Sequence, residues 1–175
     1  MADPDGWPEN NPLCGPHIFV EQARRKHLRL AGFDYSLPGA YFVTICTHRR
    51  RCVLGKIANS TVRLNALGRL ADGCWTAIPN HFPEVQLDEF VVMPNHIHGI
   101  LWLREQRAES YPRQGPPLPT IIGSFKAAAA RQAGVTLWQR NYFEHVIRSE
   151  KTLNRIRQYI ADNPQNWSTD PENRA

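Results

Sequence analysis

One stretch of this chain limits what it can fold into more than any other: Val85 to Leu103, VQLDEFVVMPNHIHGILWL. It reads as two hydrophobic strands, Val85 to Met93 and His96 to Leu103, joined by a Pro94-Asn95 turn that neither strand nor helix would carry in its interior. The pair therefore forms an antiparallel hairpin. In its second strand His96 and His98 alternate with Ile97 and Gly99. Side chains two apart on a strand share a face, so both imidazoles project together, close enough to hold one ion, while Ile97 turns into the core. Gly99 leaves room for a close approach, and Ile100 to Leu103 anchor the strand. The plain alternative is that the two histidines are polar positions of a half-exposed strand.

The rest of the chain supplies partners for that hairpin. Ala40 to Thr47 follows a Pro38-Gly39 turn and is apolar on both faces, as a central strand would be. Val53-Leu54 and Thr61 to Leu64 pair as a short hairpin across Asn59-Ser60. Asn65 then caps a helix in which Leu67, Leu70, Ala71, Cys74, Trp75 and Ile78 recur at spacings of three and four. Residues 104–119 are polar and proline-rich, which marks a mobile loop. A second helix has Thr120 as its cap, Ile122, Phe125 and Ala129 as its buried stripe, and Gly134 as its stop. An extended segment lies between Leu137 and Ile147, and Ser149 caps a last helix that runs to about Asn163, before Pro164. This order predicts an α+β fold: a ferredoxin-like (split βαβ) antiparallel sheet with helices on one face and an added C-terminal helix. Residues 1–22, rich in proline, are expected to form a flexible arm, 23–167 the domain, and 168–175 a short tail.

At 175 residues the chain holds about one domain. Its longest uncharged apolar run, Phe90 to Leu103, is broken by Pro94, Asn95 and two histidines, too short and too polar to span a bilayer. The opening MADPDGWPEN lacks the basic and apolar start of a secretion signal, so a cytoplasmic address is expected. Four cysteines without a Cys-x-x-Cys give no support to a disulfide framework. Cys46, His48 and Cys52 match no common zinc-finger spacing. Charge says more. Twenty-one basic residues stand against 16 acidic ones, for a net charge of +5, and 17 of the 21 are arginine, the side chain suited to bidentate phosphate contacts. Arg24-Arg25-Lys26 and Arg49-Arg50-Arg51 are clusters, which makes nucleic acid the leading partner class. Arg49, Arg50 and Arg51 end the first strand, where they can grip phosphates. Lys126 and Arg155 lie on helices and are further candidates for DNA contact. For each of these the alternative is an ordinary solvated surface.

Of the five tyrosines, only Tyr159 lies well inside the last helix. Leu153, Ile156 and Ile160 form the core stripe of that helix. Tyr159 sits about 95° from its centre, bordering the core with its hydroxyl free to reach a cleft. Asn163 follows one turn later on the same side. Tyr142 competes, with Arg140, Glu144 and His145 close in sequence, but it reads as packing on the last strand, and His145 as a structural histidine.

MPNHIHGILWL resembles the HUH motif of the single-tyrosine HUH endonucleases, in particular the insertion-sequence transposases and the REP-associated tyrosine transposases. PGAYFVTICTHRR is similar to their first strand, IIGSFKAA to their middle helix, and WQRNYFEHVIRSEKTLNRIRQYIADNP to their C-terminal block, so the resemblance covers about residues 24–167. It implies that His96 and His98 hold a divalent cation, Mg²⁺ or Mn²⁺. It also implies that Tyr159 is the nucleophile and that Asn163 supplies a third metal ligand. The implied activity is metal-dependent cleavage and rejoining of single-stranded or hairpin DNA through a covalent 5′-phosphotyrosine that leaves a free 3′-hydroxyl. No membrane partner is implied, and a homodimer is compatible with the family. Two rival readings use the same residues. One is a module that binds single-stranded nucleic acid without cleaving it; the other is a metal-dependent hydrolase in which water attacks.

Overall fold

A computed structural model describes residues 32–105 and 115–173. The expected N-terminal arm, and most of the expected loop at 104–119, lie outside the described residues. The elements follow in the order β1 (Gly39–Cys46), β2 (Gly55–Ala58), β3 (Thr61–Leu64), α1 (Ala66–Thr76), a short α2 (Ile78–His81), β4 (Val85–Val92), β5 (His96–Leu103), α3 (Leu118–Ala133), β6 (Phe143–Ile147) and α4 (Glu150–Asp162).

Four strands form one antiparallel sheet in the order β4-β5-β1-β6. With α1 joining β1 to β4 and α3 joining β5 to β6, this is the expected ferredoxin-like topology. The two central strands are β5 and β1, paired so that Cys46 lies opposite His96 and Thr44 opposite His98. The alternation of side chains sorts the sheet into two layers. Tyr41, Val43, Ile45, Ile97 and Leu101 face α1 and α3 and pack with Trp75, Ile121, Ile122 and Phe125. Phe42 and Ile100 face the other way, against Leu153, Ile156 and Ile160 of α4. The added C-terminal helix thus closes the face opposite the two crossover helices, and the histidine face is the one it covers.

Local signals explain most of the boundaries. The Asn65 side chain accepts from the Gly68 N–H at 3.0 Å and starts α1. Ser149 accepts from the Thr152 N–H at 3.2 Å and starts α4. Gly134 ends α3 in the left-handed region, φ 67°, where its missing Cβ removes the steric penalty. Two boundaries differ from the sequence expectation. Helix α3 begins at Leu118, before Thr120, because the Leu118 N–H is taken by the Tyr35 carbonyl at 3.0 Å and the fixed φ of Pro119 suits a first turn. The small hairpin uses Gly55 to Ala58 rather than Val53-Leu54. Leu54 is fully buried, donating to the Pro94 carbonyl and accepting from the Asn65 N–H, so it belongs to the β4-β5 turn.

Gly99 has a definite reason. A Cβ there would lie 2.3 Å from Cζ2 of Trp75, so the glycine lets the α1 indole approach β5 closely on the face opposite the histidine pair. The room left by Gly99 is filled by the core.

Candidate functional site

On β5, His96 and His98 are both buried, and their ring centroids lie 4.3 Å apart. Hydrogen bonds hold both rings and set the tautomer of His96. The amide nitrogen of Asn95 donates to the carbonyls of Glu172, at 2.6 Å, and Arg50, at 3.2 Å, so its oxygen faces Nδ1 of His96 at 2.8 Å and accepts from it. Nδ1 of His96 therefore carries the proton, and Nε2 keeps its lone pair. Thr44, opposite His98 on β1, places its hydroxyl 2.9 Å from Nδ1 of His98. The Tyr159 hydroxyl lies 3.2 Å from the other nitrogen and can donate to it. Both imidazoles thus turn Nε2 toward one spot, with a polar group behind each ring holding it there, as metal-binding histidines require.

Tyr159 reaches that spot from α4. Its ring packs at 5.2 Å from His98 and 6.3 Å from Phe42, edge-on to the latter. This is the boundary position predicted from the angle to the Leu153, Ile156 and Ile160 stripe. Asn163, the C-cap residue of α4, is buried one turn beyond. The chain then turns back. A short helical turn at Trp167–Thr169 lays Trp167 beside His96, ring centroids 6.1 Å apart, and brings Asp170 to 3.7 Å from Nε2 of His96. The Glu172 N–H donates to the Asp170 carboxylate at 2.7 Å, while the Glu172 side chain pairs with Arg50 and accepts from the Cys46 thiol at 3.3 Å. Asp170 and Glu172, from the segment that follows the last helix, thus lie buried beside His96 and Cys46.

Three buried atoms converge here without a hydrogen-bond partner among the described residues: Nε2 of His96, Oδ1 of Asn163 and Oδ2 of Asp170. A lone pair and a carboxylate oxygen facing one another in a buried place repel unless something positive lies between them. His96, His98 and Asp170 offer ligand atoms all within 4.8 Å of one another. Two imidazoles, a carboxylate and an amide oxygen form a mixed nitrogen and oxygen set suited to a divalent ion. The donor set fits a cation.

Electrostatics agree with that fit. Burial holds His98 down to about 3. Burial first, then the neighbouring His98 and the Arg50 charge, holds His96 well below its ordinary value, against a contact with the Asn163 side chain that acts the other way. Both rings are therefore neutral at pH 7 and able to serve as ligands. Burial pushes Asp170 up to about 6, opposed by Asn163 and the Arg50 charge. Burial, and then the Asp170 charge, raises the Tyr159 phenol above its usual range. A phenol so placed stays protonated at neutral pH.

The structure brings His96, His98, Tyr159 and Asn163 together and adds Asp170, which sequence reasoning missed. The only sequence signal there was the turn-forming Asp170-Pro171 pair. Tyr142 packs in the core on the opposite side of the sheet, with α1 and α3. The arginine run follows β1 in a turn where Arg49 and Arg50 adopt φ of 56° and 55°. Arg49 and Arg51 are exposed, whereas Arg50 is committed to Glu172. Lys126 donates to the carbonyls of Gln139, at 2.6 Å, and Arg140, at 2.8 Å, which is a structural use of its charge. Arg155 lies half-buried on α4, one turn before Tyr159. Cys46, His48 and Cys52 form no ligand cluster among the described residues.

Fold and site together define an α+β protein of ferredoxin-like topology with a buried His-His-Asp cluster under a helix-borne tyrosine. The chain belongs to one family with an uncharacterized protein of Haemophilus influenzae, to which it is 40% identical over 164 residues, spanning 83% of this chain and 91% of that protein. No protein-family model matches it. Among solved structures it shares the fold of a REP-associated tyrosine transposase bound to a REP hairpin, with a TM-score of 0.61 over 83% of this chain and 76% of that one, at 20% identity. No helix among the described residues is long and apolar enough to cross a membrane.

Proposed function

We propose that this protein is a metal-dependent endonuclease and strand transferase of the transposase type, acting on single-stranded or hairpin DNA with Tyr159 as its nucleophile. The observation that carries the reading is the convergence of a helix-borne phenol and three orphaned buried ligand atoms on one spot beside His98. His96 and His98, with Asp170 and Asn163, would hold Mg²⁺ or Mn²⁺. Such an ion, when bound, neutralises a non-bridging phosphate oxygen and makes phosphorus more open to attack.

The residues of the chain do the rest. Tyr159 presents its oxygen on a helix fixed by Leu153, Ile156 and Ile160, so the nucleophile is positioned before substrate arrives. Attack forms a bond from the phenolic oxygen to phosphorus and breaks the bond from phosphorus to the 3′ oxygen. The phenol gives up its proton, and the departing oxygen gains one. The result is a 5′-phosphotyrosine and a free 3′-hydroxyl, which can reverse the step and rejoin a strand. Asn95 keeps His96 in the tautomer that leaves its Nε2 open, while Thr44 holds the His98 ring from Nδ1 and Tyr159 meets its Nε2.

The test uses Tyr159→Phe, which keeps the ring packed on Phe42 and His98 and removes one hydroxyl, a loss of about 1 kcal/mol in stability. With Mn²⁺ or Mg²⁺ and a panel of end-labelled hairpin oligonucleotides, wild type should nick single-stranded DNA and retain label through denaturing electrophoresis. Tyr159→Phe should bind DNA and do neither. Binding by wild type without cleavage under either ion would overturn the proposal in favour of a non-cleaving module. Cleavage by Tyr159→Phe would make water the nucleophile.

A further inference from the structure

At the end of the sheet that carries His96, on the α3 side, lies an open groove of about 690 Å³. Lys126, Arg131 and Arg140 line it and no carboxylate does, while Val135 and Trp138 give it apolar walls. Two backbone contacts join its wall to the end of β1. Trp138 bridges Thr47, and the Gln139 N–H donates to the Cys46 carbonyl at 2.9 Å, Cys46 being the register partner of His96. The three cations differ in employment. The Lys126 ammonium is spent on two carbonyls of the groove wall and fixes its shape. Arg131 and Arg140 are exposed. The C-terminus of α3 accounts for one positive charge in its last turn, which Arg131 alone supplies. Arg140, from the following segment, exceeds that need. Val135, at 53% exposure, is one of the two large apolar side chains left most open among the described residues.

We propose that this groove holds a stretch of the backbone of the single DNA strand on which the protein acts, with Arg131 and Arg140 pairing with phosphates and Val135 beside the sugars and bases. The inference rests on the endonuclease reading and adds a further contact surface for the substrate to it. Two guanidinium groups over an apolar wall match a flexible, unpaired strand, whose bases can turn toward a side chain as those of a duplex cannot.

The experiment measures anisotropy of a fluorescein-labelled thymidine 30-mer across a salt titration. The protein is compared with the double variant Arg131→Gln/Arg140→Gln and with a control, Lys56→Gln/Arg63→Gln, which removes the same charge from the exposed β2-β3 hairpin. Two lost phosphate contacts should flatten the slope of log affinity against log salt by about 1.4. The groove variant should then bind about 25-fold more weakly at 0.1 M salt and equally near 1 M. The control should keep the wild-type slope, and all three should melt alike and gain equally in melting temperature from Mn²⁺. Equal slopes for the groove variant and wild type, or equal losses in groove and control variants, would overturn the assignment while leaving the endonuclease reading intact. If wild type neither binds nor nicks DNA, the reading fails and the groove assignment falls with it.

Discussion

Asp170→Asn separates the two states of the site by sign. In the ion-free protein the Asp170 carboxylate is buried beside the lone pair of His96, and its folded pKa, about 6, stands above the unperturbed 3.8. A group with a raised carboxylate pKa opposes folding when charged. That opposition is complete above about pH 6 and disappears as pH falls toward 4. The gap corresponds to about 3 kcal/mol at neutral pH, an upper value. Asparagine keeps the oxygen that accepts from the Glu172 N–H and places a donor toward Nε2 of His96. Without divalent ions, Asp170→Asn should therefore be more stable than wild type by about 1–3 kcal/mol at pH 7.5, a rise in melting temperature of about 2 °C or more. The difference should shrink below pH 6 and close as pH falls toward 4. With millimolar Mn²⁺ the order should reverse, because ligand binding stabilises the protein that binds it more tightly. Urea unfolding in EDTA and in Mn²⁺ measures both arms. A variant less stable than wild type in EDTA at pH 7.5 would refute the argument that a buried, uncompensated carboxylate awaits a cation.

Two further outcomes follow from the same site. In EDTA the protein should lose stability on acidification, because His96 and His98 stay neutral when folded yet take up protons below about 6.5 when unfolded. Asp170 offsets one of those two protons between about pH 6 and 4, leaving a slope of about 1.4 kcal/mol per pH unit; a flat or rising profile would count against two buried neutral histidines. Gly99→Ala should destabilise by about 1–3 kcal/mol, since the new Cβ meets the Trp75 indole at 2.3 Å. It should also weaken Mn²⁺ binding by calorimetry, because the displaced strand carries His98.

The hairpin, the period-two histidine pair, the caps at Asn65 and Ser149 and the boundary position of Tyr159 were all legible in the sequence, because each depends on residues within a few positions of one another. A Pro-Asn turn, a Ser before a helix and a tyrosine at the edge of an apolar stripe act through local geometry, and local geometry repeats wherever the pattern does. The sequence also carried the topology, since short connections and the handedness of crossovers leave few ways to pair four such strands. It did not carry Asp170. That residue lies in a polar segment without periodicity, and only the return of the chain after α4, held by Arg50 and Asn95 from distant turns, delivers its carboxylate to His96. Nor did it show that Arg50 and Lys126 are spent on internal partners while Arg131 and Arg140 face a groove. Whether a charge is free or employed depends on atoms brought near by the whole fold, and the energy of a buried charge is set by those neighbours rather than by its own stretch of chain.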